Sequence, residues 1–332
     1  MTDWAREIRG VLADDFSGVV SVSRGDDLLF ERAYGLADRA HEIACTPQTR
    51  FAIASGTKTF TALVVMSLVA EGALSLTTTA RSVLGSDLPL IADDVTVEHL
   101  LTHTSGIGDY CDEYLDEPPP LKVPVYALVD TEDYLPALDG FETKFAAGTQ
   151  FAYCNAGFVV LALLTERASG RNYHDLVAEQ VFAPAAMADS AFLRSDELPG
   201  DAAIGYLEDG RTNVFALPVR GNGDGGAYTT VADVRRFWAA LYGGRIVAAD
   251  LVEQMTRSHA GGPPDNDRHY GLGFWLAGAA VQLDGGDYGV TFRSSYDPSS
   301  GTVCTVIANV ETRISPVLAR AGELIDSSTD VG

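Results

Sequence analysis

Ser55 and Lys58 stand three residues apart in Phe51-Ala-Ile-Ala-Ser-Gly-Thr-Lys-Thr-Phe, and an apolar run follows at once. Positions i and i+3 of a helix share a face one turn apart, so a helix opening at Ser55 sets the Lys58 amine beside the Ser55 hydroxyl. Both then lie at a helix N-terminus, where backbone N–H groups lack partners. A hydroxyl, an amine to take its proton and N–H donors for a developing oxyanion are the parts acyl transfer needs. An N-capping serine before a surface lysine would give the same four letters. With only three lysines (Lys58, Lys122, Lys144) among 23 basic residues, however, a chance Ser-x-x-Lys is rarer than usual. A second candidate is Tyr153-Cys154-Asn155. A phenol near an amine can exist partly as phenolate and relay protons, and an amide can hold a substrate carbonyl and an ammonium together. On its own, Tyr-x-Asn fits equally well an aromatic anchor before a helix.

Several elements must position these groups. Residues 3–13 have helical spacing, with Trp4, Ile8 and Leu12 on one face. Residues 18–23 and 27–34 read as a hairpin about Arg24-Gly-Asp26. The Ser55 helix stops at Gly72, and its nearly all-round apolar character marks a buried helix. Short helices follow over 96–101, 156–169 and 173–182. Thr230 opens a helix through Leu241 with a capping-box sequence, and 247–258 is another. Residues 270–276, 279–283, 289–296 and 302–310 read as an antiparallel meander, closed by a helix over 315–327. The expected fold is α+β: an antiparallel sheet flanked by helices, built from 1–60 plus 215–332. A mainly helical domain over 61–214 is inserted, with the active site at the interface.

Length and composition, 332 residues and 46% hydrophobic, suit an ordinary globular protein. The opening residues carry no basic segment followed by an apolar core, and no apolar run is long enough to span a membrane. A cytoplasmic location is the expectation. A net charge of −23 excludes nucleic acid and anionic membranes as partners. Cys45, Cys111, Cys154 and Cys304 lie far apart, without metal-ligand spacing, so reduced thiols are expected and no metal or cofactor is implied.

Taken together, Ser55, Lys58, Tyr153 and Asn155 resemble the serine β-lactamase and penicillin-binding protein-like family, in its class C-like branch. That branch includes carboxylesterases, DD-peptidases and D-aminopeptidases. The likeness runs through 34–38, 51–62, 97–107, 148–170, 225–234, 270–275 and 292–298. It implies a β-lactamase/transpeptidase-like fold, with Ser55 as nucleophile and Lys58 as the base that activates it. Tyr153 would relay a proton to the leaving group, and Asn155 would orient substrate.

The resemblance breaks at the family's third motif, Lys-x-Gly or His-x-Gly on an inner strand. No Lys or His lies between Tyr270 and the C-terminus. The nearest equivalent is Asp287-Tyr288-Gly289, followed by Val290, with Asp284-Gly285-Gly286 as another register. Ser55 and Val290 would then supply the oxyanion N–H groups. An aspartate there repels a substrate carboxylate, by roughly 1 kcal/mol at about 4 Å. That weakens penicillins and D-alanyl-D-alanine peptides as substrates. Asp287 and the acidic loop 109–117 could instead form an anionic mouth for an amino group, or the loop could simply be solvated. His103 reads as part of a structural turn. The G-x-G-x-x-G at 221–226 follows no strand closely and does not read as a nucleotide site. Trp238 and Trp275 read as core or pocket wall. The expected activity is that of a serine hydrolase acting through an acyl-enzyme on a small-molecule ester, amide or peptide. The alternatives are a penicillin-recognising enzyme and a catalytically silent relative. Oligomeric state is not legible.

Overall fold

The computed structural model describes residues 3–115, 120–262 and 267–329. Its centre is an eight-stranded antiparallel sheet. The strands are β1 (Gly18–Arg24), β2 (Asp27–Tyr34), β3 (Ala260–Gly261), β4 (Arg268–Tyr270), β5 (Trp275–Ala277), β6 (Ala280–Asp287), β7 (Val290–Asp297) and β8 (Thr302–Ala308). Their spatial order is β2-β1-β8-β7-β6-β5-β4-β3, so the N-terminal hairpin joins the C-terminal meander through the β1–β8 pair. That pair brings Gly18 opposite Ala308 and Arg24 opposite Thr302.

Alternation along the strands divides the apolar residues between two faces. Val20, Val22, Val306 and Ala308 pack with Ile8 of α1 (Trp4–Arg9) and with Val317, Ala321 and Leu324 of α5 (Ser315–Thr329). Val19, Phe292, Val303 and Ile307 face the other way, into the larger core. That core continues without a break into α2 (Lys58–Ala70), α3 (Asn155–Ser169) and α4 (Val231–Tyr242). Helix α2 is buried on nearly every side, as its all-round apolar sequence requires. Trp238 of α4 is fully buried and donates its indole N–H to Ser294 Oγ at 2.8 Å.

Two boundaries differ from the sequence reading. The helix after Ser55 begins only at Lys58, because residues Ala54–Thr57 form a 3₁₀ turn. Strand β6 runs on to Asp287, four residues beyond the predicted end. Two glycines and two aspartates hid that extension, because such residues are depleted in strands. No helix among the described residues is long and apolar enough to cross a membrane.

Candidate active site

The turn that carries Ser55 is held under tension. Ala54 has φ 44°, in the left-handed region that a residue with a Cβ enters at a cost. Its carbonyl accepts Thr57 Oγ1 at 2.8 Å and the Gly226 N–H at 3.3 Å. Thr57 Oγ1 accepts the Ala227 N–H at 3.0 Å, and the short strand Phe51–Ala52 pairs with Tyr228–Thr229. In a 3₁₀ turn, residues i and i+3 eclipse each other, so Lys58 comes directly over Ser55. The Lys58 Nζ lies 2.9 Å from Ser55 Oγ.

Lys58 is 2% exposed and has two further partners, Asn155 Oδ1 at 2.8 Å and the Asp224 carbonyl at 2.6 Å. The Asn155 amide is fixed in orientation, since its Nδ2 donates to the Cys111 carbonyl at 2.8 Å and to Glu113 Oε1 at 3.2 Å. Both oxygens facing Lys58 from Asn155 and Asp224 can therefore only accept. A neutral amine gives its two N–H groups to them and turns its lone pair to the Ser55 hydroxyl, which is the geometry of a general base. Burial lowers the Lys58 pKa, while Asp224, Glu113 and Asp109 pull it back up.

Tyr153 is buried and hydrogen-bonded to Ser55, with Lys58 Nζ 4.9 Å from its ring centroid. Burial drives its pKa well above the ordinary phenol value, further than the Ser55 hydrogen bond brings it down. Burial thus favours the phenol over the partial phenolate that the sequence allowed, because an apolar wall does not solvate the anion. Trp275 stacks on it at 6.0 Å, forming the pocket wall. Beneath it, His103 Nδ1 accepts the Cys154 N–H at 3.1 Å, so that nitrogen is unprotonated. His103 is a structural support, and burial holds its pKa well below the usual value.

The acidic loop does three different things. Asp109 is buried and accepts the N–H groups of Asn155 at 2.6 Å and Ala156 at 3.0 Å, satisfying the N-terminus of α3. Asp112 pairs with Lys144 at 2.8 Å. Glu113 and Tyr114 reach the cavity that contains Ser55 and Tyr153. Asp116 and Glu117 lie outside the described residues.

Of the two candidate stretches for the third motif, Asp284-Gly285-Gly286 lies within β6. A Cβ on Gly285 would stand 2.2 Å from the Ile53 carbonyl oxygen and 2.9 Å from the Ser55 nitrogen, so this backbone lies directly on the nucleophile's turn. Asp287-Tyr288-Gly289 is instead the hairpin corner between β6 and β7. Gly289, with φ 68°, donates to Glu311 Oε1 at 3.2 Å and presses on residues 205–206. Val290 stands across the ladder from Asp287. A two-residue hairpin closes on a pair that exchanges both hydrogen bonds, so the Val290 N–H is committed to β6. The same alternation points the Gly285 N–H at β7 and the Gly286 N–H away from it. The Gly286 N–H therefore points out of the β6–β7 ladder, while the Val290 N–H lies within it.

Asp284 lies between two arginines, Arg268 Nη1 at 2.7 Å and Arg293 Nη2 at 2.6 Å, and the Arg268 guanidinium covers the Trp275 ring at 4.2 Å. These side chains line an open cavity of about 800 Å³ that reaches from Ser55 to Asp287. Asp287 is exposed at the rim. Loss of solvation against the pocket wall lifts its pKa to about 6, with Asp224 and Glu113 adding to the effect, although water at the rim tempers it. Among the described residues, no three His, Cys, Asp or Glu side chains are arranged to hold a metal ion.

Sequence reasoning missed Asp224 and Tyr110. The glycines of 221–226 serve close packing, since a Cβ on Gly223 would meet the Phe158 carbonyl oxygen at 2.2 Å. Nothing in the spelling of that loop says that Asp224 O meets a lysine 166 residues earlier.

The sheet order, the Ser55–Lys58 turn and the facing Tyr153 define a β-lactamase/transpeptidase-like fold. A model of the Beta-lactamase family matches residues 4–326, and the chain belongs to that family. Penicillin-binding protein 4* of Bacillus subtilis is 30% identical over 266 residues, covering 75% of this chain and 56% of that protein. A D-aminopeptidase of Brucella ovis is 33% identical over 204 residues, covering 57% of this chain and 37% of the relative. Among solved structures, a penicillin-binding protein from Bacillus halodurans superposes with a TM-score of 0.88 at 34% identity, covering 97% of this chain and 99% of the other. A D-amino acid amidase from Ochrobactrum anthropi shares the fold, with a TM-score of 0.83 at 22% identity over 99% of this chain and 100% of the other.

Proposed function

We propose that this protein is a serine hydrolase working through an acyl-enzyme. The observation that carries the proposal is the arrangement at Lys58, whose two acceptor-only neighbours leave its lone pair for the Ser55 hydroxyl. Ser55 Oγ attacks the substrate carbonyl as its proton passes to Lys58 Nζ. The oxyanion meets the N–H groups of Ser55 and Gly286. Tyr153, a phenol hydrogen-bonded to Ser55, gives its proton to the leaving group as the proton held by Lys58 passes to it, so the phenol and the neutral amine are both restored. Water then attacks the ester, with Lys58 and Tyr153 as the proton-handling pair.

The substrate class we favour is an ester, amide or short peptide with a free amine. Glu113 and Asp287 line the same cavity as Ser55, and two of the cations lining it, Arg268 and Arg293, pair with Asp284. A relative named D-aminopeptidase accords with this reading. Incubation with a fluorophosphonate and with a labelled penicillin, followed by intact mass, tests it for wild type and Ser55→Ala. Labelling of wild type by the phosphonate, lost in Ser55→Ala, is expected. Labelling by penicillin as well would move the reading to a penicillin-recognising enzyme, and labelling by neither would make the protein a silent relative.

A further inference from the structure

Lys58 donates to the Asp224 carbonyl at 2.6 Å, and the Asp224 carboxylate is the foremost of the charges that raise the Lys58 pKa. The carboxylate is not left to water: the buried Tyr110 donates its O–H to Asp224 Oδ2. The loop carrying Asp224 is rigidly fixed. Asn222 and Gly225 exchange backbone hydrogen bonds at 2.9 and 3.2 Å, Thr61 Oγ1 donates to the Gly223 carbonyl at 2.6 Å, and Asn222 Nδ2 donates to Thr131 Oγ1 at 3.2 Å. The adjoining Gly226 N–H bonds to Ala54, next to the nucleophile. One loop thus ties the base, the nucleophile's turn and a carboxylate together.

We infer that Asp224, steered by Tyr110, is a positioning residue that holds Lys58 in place and balances the charge Lys58 acquires on taking the Ser55 proton. The inference rests on the acyl-enzyme reading. In the step concerned, the Ser55 O–H bond breaks, an N–H bond forms at Lys58 and Oγ bonds to the carbonyl carbon. The amine becomes an ammonium beside a carboxylate already in place, and no proton moves to Asp224 or Tyr110. The logic parallels that of a carboxylate supporting a catalytic imidazolium.

Other groups face Lys58: Glu113, Asp109 and Cys111 from the loop beneath, Asn155 and the rings of Tyr153 and Phe158, and His103 below these. Asp224 is the foremost of the charges that favour the ammonium. Its own burial raises its pKa, and the Tyr110 hydrogen bond works in the opposite direction, towards the carboxylate.

The test is the labelling rate with a fluorophosphonate as a function of pH, for wild type, Asp224→Asn, Tyr110→Phe and Ser55→Ala. Labelling needs neutral Lys58, so the rate rises with pH to a plateau. Asp224→Asn keeps the loop carbonyl and removes the charge. The midpoint is expected to move down by about 1 pH unit or more, with a plateau roughly 10–100-fold lower. Tyr110→Phe should move the midpoint the same way by a smaller amount. A lower plateau with an unmoved midpoint in both variants would mean that Asp224 merely holds the loop, and would overturn the inference. Wild-type behaviour of both would also overturn it. If Asp224→Asn does not fold, as read by thermal melting, Tyr110→Phe decides alone by the same criterion. Labelling of Ser55→Ala at the wild-type rate would overturn the acyl-enzyme reading instead.

Discussion

A side chain on Gly285 would put its first carbon 2.9 Å from the backbone nitrogen of Ser55. Real Cβ atoms do not approach backbone that closely, so either β6 or the nucleophile's turn must move. Gly285→Ala should therefore cut fluorophosphonate labelling by about 100-fold or more, the scale of losing an oxyanion donor. It should also destabilise the fold by about 1–3 kcal/mol through overpacking. Intact mass over time and a thermal melt measure both. Labelling at the wild-type rate would remove β6 from the site.

Asp287 should matter only for amine-bearing substrates. In Asp287→Asn, KM for an aminoacyl ester should rise about fivefold, the effect of roughly 1 kcal/mol at a hydrated site, while a neutral ester is unaffected. Because desolvation raises its pKa, Asp287 loses its charge at a higher pH than an ordinary carboxylate does. The wild-type preference for the amine should fade as pH drops from 7 to 5, and Asp287→Asn should show no such change. Equal effects on both esters would sink the anionic mouth.

Asp284 should govern discrimination against anions. It bridges Arg268 and Arg293 on the pocket wall. Removing its charge in Asp284→Asn leaves that wall more cationic, and acylation by benzylpenicillin should speed up about fivefold, corresponding to roughly 1 kcal/mol. The second-order rate constant from mass spectrometry measures this. A slower or unchanged rate would show that Asp284 does not set charge preference.

Stability should fall in mild acid through His174. This buried ring contacts the Gly221 carbonyl at 2.8 Å, and burial lowers its pKa to about 4. The unfolded chain takes up a proton near pH 6.5 that the folded chain refuses until about pH 4. The stabilisation is therefore whole above pH 6.5 and is lost as pH falls through this window. At pH 5 the loss from this residue is about 2 kcal/mol. His174→Gln should flatten part of the pH dependence of Tm between 7.5 and 5. An unchanged slope would argue against a neutral buried His174.

Ser55 and Lys58 were legible in the sequence because three residues of helical or 3₁₀ backbone bring them together with no help from the rest of the chain. Strand alternation and apolar periodicity likewise announced the two-faced sheet and the buried α2, since these are local patterns. The Tyr153 segment could be named but not assigned a protonation state, because burial is a property of packing. The third motif could be read at Asp287-Tyr288-Gly289 or at Asp284-Gly285-Gly286. Asp287-Tyr288-Gly289 resembles the motif in letters, but only the β6–β7 ladder shows that Gly285 is the residue pressed against Ser55.

By itself, the sequence determined the Ser55–Lys58 pairing, the family and the fold, because each is written in short-range spacing. The tertiary structure alone decided the charge environment around that pair. Asp109 caps the helix of Asn155 from 46 residues away, and Asp224 reaches Lys58 across 166. Desolvation and Coulomb terms depend on distance in space, and chain spacing carries no record of that.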